Sequence, residues 1–386
     1  MHPVLKRGGL FWDRELLPVR TYEERFARIQ SAIAASGDDA WLIFGDVERY
    51  GGLAWFSNFL PRTRSAIALV PRSGAPTLLI SVGLRDVPAA KTLTWIDDVR
   101  PFSRLPRSLV DLIRERQFAS SRLGIAGVEE MLAIKDWSEI ESALPEVTWA
   151  ARTDDVALMR ARKDDSEFSA LRRVAGAVSE GLDLCAGLLR PGVDIRVALS
   201  RVERTIRKSA AEDVRILQAS GPQTGVALRP LANRTLRQGD TVMLYIAAAV
   251  QRYWAEEART FVLGEASPKL RDLAKRGAAA LDAMAQLTGE GVESDLLARA
   301  AGNALGDGVA DESAKAYGYG SGVGLDAAEF PVICIGSRQR TPTRSALALR
   351  VIAHEDGAGV ALAQTIQCVD GHVQRLGSPG LFELPC

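Results

Sequence analysis

The sequence predicts an α+β protein in two domains, a smaller α/β domain over residues 1–155 and a larger α+β domain over residues 156–386. Three observations carry that prediction. At 386 residues the chain is too long for one ordinary core. Up to about residue 150, helical periodicity alternates with short apolar runs bounded by Gly, Pro and Ser, as in an α/β unit. Beyond that point, helix pairs alternate with blocks of longer strands, the pattern of helices laid on an antiparallel sheet.

Residues 21–36, TYEERFARIQSAIAAS, read as an amphipathic helix, with Thr21 as N-cap and Glu24 at the capping-box spacing. The runs DAWLIFGD (39–46), SAIALVP (65–71) and PTLLISV (76–82) read as buried strands. The charged segment MRARKDDSEF (159–168) opens the second half. Leu171, Val174, Val178 and Leu182 then follow helical spacing, RPGVD (190–194) is a turn, and Ile195, Leu199, Val202 and Ile206 mark another helix. Strands follow at RILQASG (215–221), DTVMLYIAAAV (240–250) and YWAEEARTFVLG (253–264), the last two joined by Gln251-Arg252 as a hairpin. Helices return near 267–287 and 293–305, and strands close the chain at 330–336, 346–354 and 360–370.

Composition narrows the function classes. Lys plus Arg (48) equals Asp plus Glu (48), so no large field draws in nucleic acid or an anionic membrane. Cys185, Cys334, Cys368 and Cys386 form no CxxC pair and suit incidental thiols in a reducing compartment. The start MHPVLKRGGLFWDREL lacks the apolar run of a signal peptide, and no stretch is long enough for a membrane helix, so a cytoplasmic location is expected. The run GYGSGVG lacks the Lys-Ser/Thr of a phosphate loop and does not lead from a strand into a helix, which excludes a dinucleotide fingerprint.

Four fragments in order, RTLRQGDTVMLY, RYWAEEARTFVLG, GSGVGLDAAEFP and TIQCVDGHVQRL, together with the LIFGD strand and LAWFSNFLPRTRSAIALVPRSGAPTLLI, resemble the "pita-bread" proteins. These include creatinase, prolidase, aminopeptidase P and methionine aminopeptidase. The resemblance covers nearly the whole chain and implies a pita-bread C-terminal domain behind a creatinase-type N-terminal domain. Metallopeptidases of this fold hold two metal ions with two Asp, one His and two Glu. Carried over residue by residue, the Asp positions are Tyr245 and Glu256, and the metal His falls on Ser321. A nearby substrate-facing His falls on Ala328. The first Glu falls near His354, or on Ile352 after a two-residue slip, and the second near Ala363. The family's proton-transferring His aligns with Leu228, beside Arg229.

A pair of divalent ions needs several anionic oxygens converging on it. Tyr245, Ser321 and Ala363 cannot supply them, so no metal and no cofactor is expected; a single ion on Glu256, His354 and water is the one metal alternative. Creatinase hydrolyses a C–N bond on this fold without metal, but its catalytic His also aligns with Leu228. The resemblance therefore implies a cleft lined by Tyr245, Trp254, Glu256, Tyr319, Ser321, Glu329 and His354. Strand alternation allows only one of Glu256 and Glu257 to face it, and the alignment selects Glu256.

The expected function is metal-independent hydrolysis of a C–N or amide bond in a small nitrogen-containing molecule. Glu256 and His354 carry proton transfer, and Tyr245 and Ser321 orient the substrate. Trp254 packs a wall, Tyr319 and Glu329 complete the lining, and Arg229 is a candidate for a carboxylate. A plain structural role stays open for each of these residues. The alternatives are a pseudopeptidase that binds a peptide, metabolite or protein partner through the old cleft, and a lyase or cyclisation step. No Ser-His-Asp order points to a triad. A homodimer is expected from the resemblance alone.

Overall fold

The computed structural model describes residues 10–222, 224, 228–230, 233–307, 309–311 and 318–385; His2 and Cys386 lie outside them. The chain divides into two compact units between Arg160 and Ala161, a little beyond the expected 155/156.

In the first unit, helices α1 (Val19–Ser36), α2 (Gly51–Ser57), α3 (Val87–Lys91), α4 (Leu105–Glu115), α5 (Val128–Met131), α6 (Ile134–Ala143) and α7 (Thr153–Ala161) alternate with six strands. These are β1 (Ala40–Asp46), β2 (Ser65–Pro71), β3 (Thr77–Ile80), β4 (Asp98–Pro101), β5 (Arg122–Ala126) and β6 (Thr148–Ala151), in the order β4-β3-β2-β1-β5-β6. Strands β1 and β2 pair antiparallel, whereas β1 and β5 run parallel. Helix α1 begins three residues earlier than the capping box indicated: Pro18 is its N-cap, and Thr21 is a buried residue of its first turn. The proline ring fixes the entry φ, and the Thr21 amide donates to the Pro18 carbonyl at 3.0 Å in place of a side-chain cap.

The second unit contains α8 (Asp165–Asp183), α9 (Cys185–Leu188) and α10 (Ile195–Lys208), then β7 (Asp213–Gly221), β8 (Thr241–Val250) and β9 (Tyr253–Leu263). Helices α11 (Pro268–Leu287) and α12 (Ser294–Leu305) follow. The remaining strands are β10 (Ala310–Asp311), β11 (Gly320–Gly322), β12 (Glu329–Ile333), β13 (Ser345–Glu355), β14 (Ala358–Val369), β15 (His372–Arg375) and β16 (Leu381–Leu384). They form one sheet in the order β12-β11-β13-β14-β9-β8-β7, with β10, β15 and β16 attached to β13, β14 and β9. A capping box of Asp164 and Glu167 starts α8, and the Asp194 side chain caps α10. Gln251 and Arg252 both take positive φ (49° and 71°), the backbone of a two-residue hairpin turn whose twist matches its strands.

The helices lie on one face of this sheet. Val174, Val178, Leu199 and Val202 pack on Val242, Leu244 and Ile246, and Leu273, Leu281 and Leu297 pack on Leu347, Leu349 and Leu362. Alternation then sends Met243, Tyr245, Ala258, Ala361 and Ala363 to the opposite face. That face carries the site. No described helix is long and apolar enough to cross a membrane.

Candidate functional site

One row of residues crosses the opposite face in register: Leu217, Tyr245, Ala258, Ala363 and Arg350, on five consecutive strands. Arg215, Ala247 and Glu256 form the next row, with Ser321 opposite Ala348 at its far side. Alanine at 258 and 363 leaves only methyl groups between Arg350 and the middle of the sheet. The arginine extends over them to β9. Its Nε donates to Glu256 Oε1 at 2.5 Å and its Nη2 to Oε2 at 2.9 Å. The Tyr245 hydroxyl donates to the same Oε2 at 2.6 Å, and Arg350 Nη2 also lies 3.4 Å from Ser321 Oγ and 3.5 Å from the Ala327 carbonyl. Thr365 fixes the backbone beneath, accepting from Glu256 N and donating to Glu256 O.

Glu256 is 2% exposed, so it is not a solvated strand residue. Glu257 points to the helix face, where Ser179 and Arg259 hold it, as alternation required. Burial works against the charge of Arg350, yet the Glu256 carboxylate beside it more than compensates and its pKa rises. Burial pushes the Tyr245 phenol up, and the neighbouring Glu256 charge pushes it further.

Several expected members of the lining stand elsewhere. His354 is at the far end of β13, paired with Gly359 and Ala310, roughly 13 Å along the strand from Arg350. Neither His354 nor Ile352 meets Glu256; Arg350 does. Glu256 and His354 therefore do not come together, either for catalysis or for a single metal ion. Tyr319 is a core residue, buried with Ile333, Leu349 and the α12 side chains on the helix face. Glu329 is locked to Lys163 by a buried 2.6 Å ion pair and also accepts from Asp326 N, so it is not presented to a substrate. Trp254 is 2% exposed and packs under the Arg215 guanidinium, as a wall residue should. Arg229 is exposed, with its backbone bridged to Gln218 on β7. Leu228, Tyr245 and Ile352 pack on the five residues Ala219, Met243, Ala258, Ala361 and Ala363.

The glycine run has a structural explanation. A Cβ at Gly320 would stand 2.2 Å from the Ala348 carbonyl oxygen, and one at Gly322 would stand 2.1 Å from that of Phe330. Neighbouring backbone, rather than a ligand, demands the bare strand.

A divalent pair does not fit this donor set. Of the positions the resemblance assigns to ligands, only Glu256 bears an anion, and Arg350 already neutralises it. Among the described residues no three His, Cys, Asp or Glu side chains gather as a metal site. A cation brought to Glu256 would also face the guanidinium at close range.

An α/β unit followed by helix pairs on one face of an antiparallel sheet, with the polar cluster on the other, defines the creatinase/prolidase class. Residues 169–364 match the model of Metallopeptidase family M24 and residues 25–162 that of the Creatinase/Prolidase N-terminal domain, so the chain belongs to the M24 family. It is 24% identical over 288 residues to a protein of Sinorhizobium fredii named uncharacterized hydrolase/peptidase y4tL, covering 70% of each chain. It is 26% identical over 188 residues to the probable dipeptidase PepE of Mycobacterium tuberculosis, 48% of this chain and 50% of that one. The fold is shared with the X-Pro aminopeptidase of Thermotoga maritima (TM-score 0.82, 19% identity, 94% and 99% of the two chains). It is shared equally with the dipeptidase PepE of Mycobacterium ulcerans (TM-score 0.79, 19% identity, 98% and 100%). The family is one of hydrolases.

Proposed function

We propose that this chain hydrolyses a C–N or amide bond in a small, polar, nitrogen-containing molecule without a divalent metal. One observation carries the reading: a guanidinium and a carboxylate, held together at the sheet's centre, each keep one hydrogen-bonding position unused. Glu256 offers about four acceptor sites, and Arg350 and Tyr245 take three, leaving one on Oε1. Arg350 Nη1 has no partner among the described residues.

A substrate carbonyl oxygen on Nη1 is polarised, and the oxyanion formed on attack gains the fixed positive charge. Glu256 Oε1 accepts the proton of the attacking water as the new C–O bond forms. It then delivers that proton to the nitrogen as the C–N bond breaks, so amide and water become acid and amine. Tyr245, whose raised pKa keeps its proton on, and Ser321 hold the pair in place.

Metal analysis and chelator-treated assays test this first. Turnover should persist in chelator, and Arg350→Met should lower kcat by about 10²–10³. About two equivalents of Mn, Co or Zn bound per chain, with activity lost on their removal, would sink the reading.

A second reading, a pseudopeptidase that only binds, is favoured by the apolar cluster in which Leu228 and Ile352 cover the alanines of the same face. It predicts saturable ligand binding with no product under any condition.

A further inference from the structure

Helix α10 turns Ile195, Ala198, Leu199, Val202 and Ile206 to the core, where Leu199 and Val202 lie against Val242, Leu244 and Ile246. With about 3.6 residues per turn, Val197, Arg201, Arg204 and Lys208 then fall in one line on the side opposite that buried face. All four are exposed. The line runs about 16 Å along the helix.

Its cations have no counter-charge. The segment from Arg190 to Arg215 contains four acids, and each is held by another arginine. Asp194 pairs with Arg196 (2.6 Å), Glu203 with Arg207 (2.9 Å), Glu212 with Arg252 (3.4 Å) and Asp213 with Arg215 (3.6 Å). Among the described residues the side chains of Arg201, Arg204 and Lys208 have no ion-pair or hydrogen-bond partner. Exposed arginines on three other helices have an acid four residues away: Arg20 with Glu24, Arg107 with Asp111 and Arg299 with Asp295. Arg204 instead has Arg201 three residues before it and Lys208 four after it, spacings at which like charges repel. The helix C-terminus favours Lys208, but Arg201 lies two turns away from it. Helix stability therefore does not account for the line.

Spacing and charge select its occupant. Lys plus Arg equals Asp plus Glu over the whole chain, so a nucleic acid would gain little beyond these three cations, and its affinity scales with the phosphates neutralised. A bilayer surface also needs apolar side chains to insert, and Val197, 59% exposed, is the one hydrophobic residue in the line. A helix with acids at intervals of three and four residues presents carboxylates at the spacing of the cations, and an apolar residue one turn beyond covers Val197.

We propose that this face of α10 docks an acidic amphipathic helix of a partner protein. Because α10 packs on the face of the sheet opposite Glu256 and Arg350, docking here does not draw on the candidate site, and the proposal is independent of the hydrolase reading.

Fluorescence anisotropy of the full chain with a labelled, alanine-rich helical peptide tests it. The peptide carries Glu at the three- and four-residue intervals of the line and a Leu one turn beyond. A peptide of the same composition with its Glu residues scattered around the helix is the control. The wild type should bind the first about tenfold more tightly than the control, with affinity falling as salt rises. Arg204→Glu should weaken that binding by about tenfold or more and yet raise Tm, since it puts an acid between Arg201 and Lys208. A merely structural arginine would not move affinity and Tm in opposite directions. Equal binding of the two peptides, no binding of either, binding untouched by Arg204→Glu, or a lower Tm in that variant would each overturn the proposal. So would a single-stranded oligonucleotide or phosphatidylserine vesicles that bind more tightly than the acidic peptide and depend on Arg204.

Discussion

Each half of the chain buries a carboxylate under arginine, and the two burials differ in what they leave over. In the N-terminal unit, Asp38 is fully buried ahead of β1. Its Oδ1 accepts from Arg122 Nε (2.9 Å) and Arg152 Nη2 (3.2 Å), and its Oδ2 from Trp41 Nε1 (2.8 Å) and Arg152 Nε (2.7 Å). All four acceptor sites are filled, which ties β1, β5 and the residue after β6 to one point. In the C-terminal unit Glu256 fills three, and its arginine keeps a nitrogen back. Saturation marks a structural knot. A remainder marks a place for something else.

The largest effect expected from breaking this contrast is at the unsaturated site. Glu256→Gln should lower turnover by about 10²–10⁴ while the protein stays folded. Arg350→Met should cost both turnover and stability, since it leaves a buried carboxylate uncompensated, a loss of about 3–5 kcal/mol. The double variant should recover the stability, measured by urea denaturation, but not the turnover. Activity that survived in Glu256→Gln would erase the distinction between the two clusters.

Next comes the buried ion pair of Lys163 and Glu329. Lys163→Met removes the buried cation beside Glu329, whose side chain is 5% exposed, and should cost about 3 kcal/mol or more in the same denaturation experiment. The defect should track stability. A specific collapse of kcat in folded protein would put Glu329 back in the mechanism.

The third effect is pH-dependent. Burial raises the Asp38 pKa, but the hydrogen bonds from Arg152 and Trp41 and the Arg152 charge outweigh it, and the group lies below its ordinary 3.8. A depressed folded pKa stabilises fully above the unfolded value and loses that contribution as pH falls through the folded one. Asp38→Asn should therefore lower Tm at neutral pH, by about 1–3 kcal/mol of stability, and flatten the acid limb below about pH 4. Turnover should not change. An unaltered acid limb would mean that other carboxylates, such as Asp98 between Arg100 and Arg116, control acid unfolding.

The smallest effect belongs to His354. His354→Ala should leave turnover intact in protein that remains folded. A drop of orders of magnitude would restore the role that the sequence suggested for it.

That suggestion failed for a physical reason. Motif spacing located the strand at 346–354 but not the position on it that meets Glu256. The usable signal was Arg350 itself, the one charged residue inside the apolar run ALALRVIA. Tyr319 was misplaced because the backbone between it and Ser321 passes through Gly320 at φ 155°, so simple alternation does not carry across that residue. Glu329 was misread because its partner Lys163 is 166 residues away in the chain. Element boundaries fared better. Strand β2 spans the predicted 65–71, and α11 and α12 begin one residue inside their predicted limits.

The amino-acid order alone determined the two-part organisation and the main helices and strands of the second unit, since periodicity and turn residues are local properties. Only the folded sheet decided which side chains meet. Cross-strand register brings Arg350 over Ala363 and Ala258 to Glu256, and sets Arg215 on Trp254, because pairing across strands joins positions whose separation along the chain no local pattern encodes.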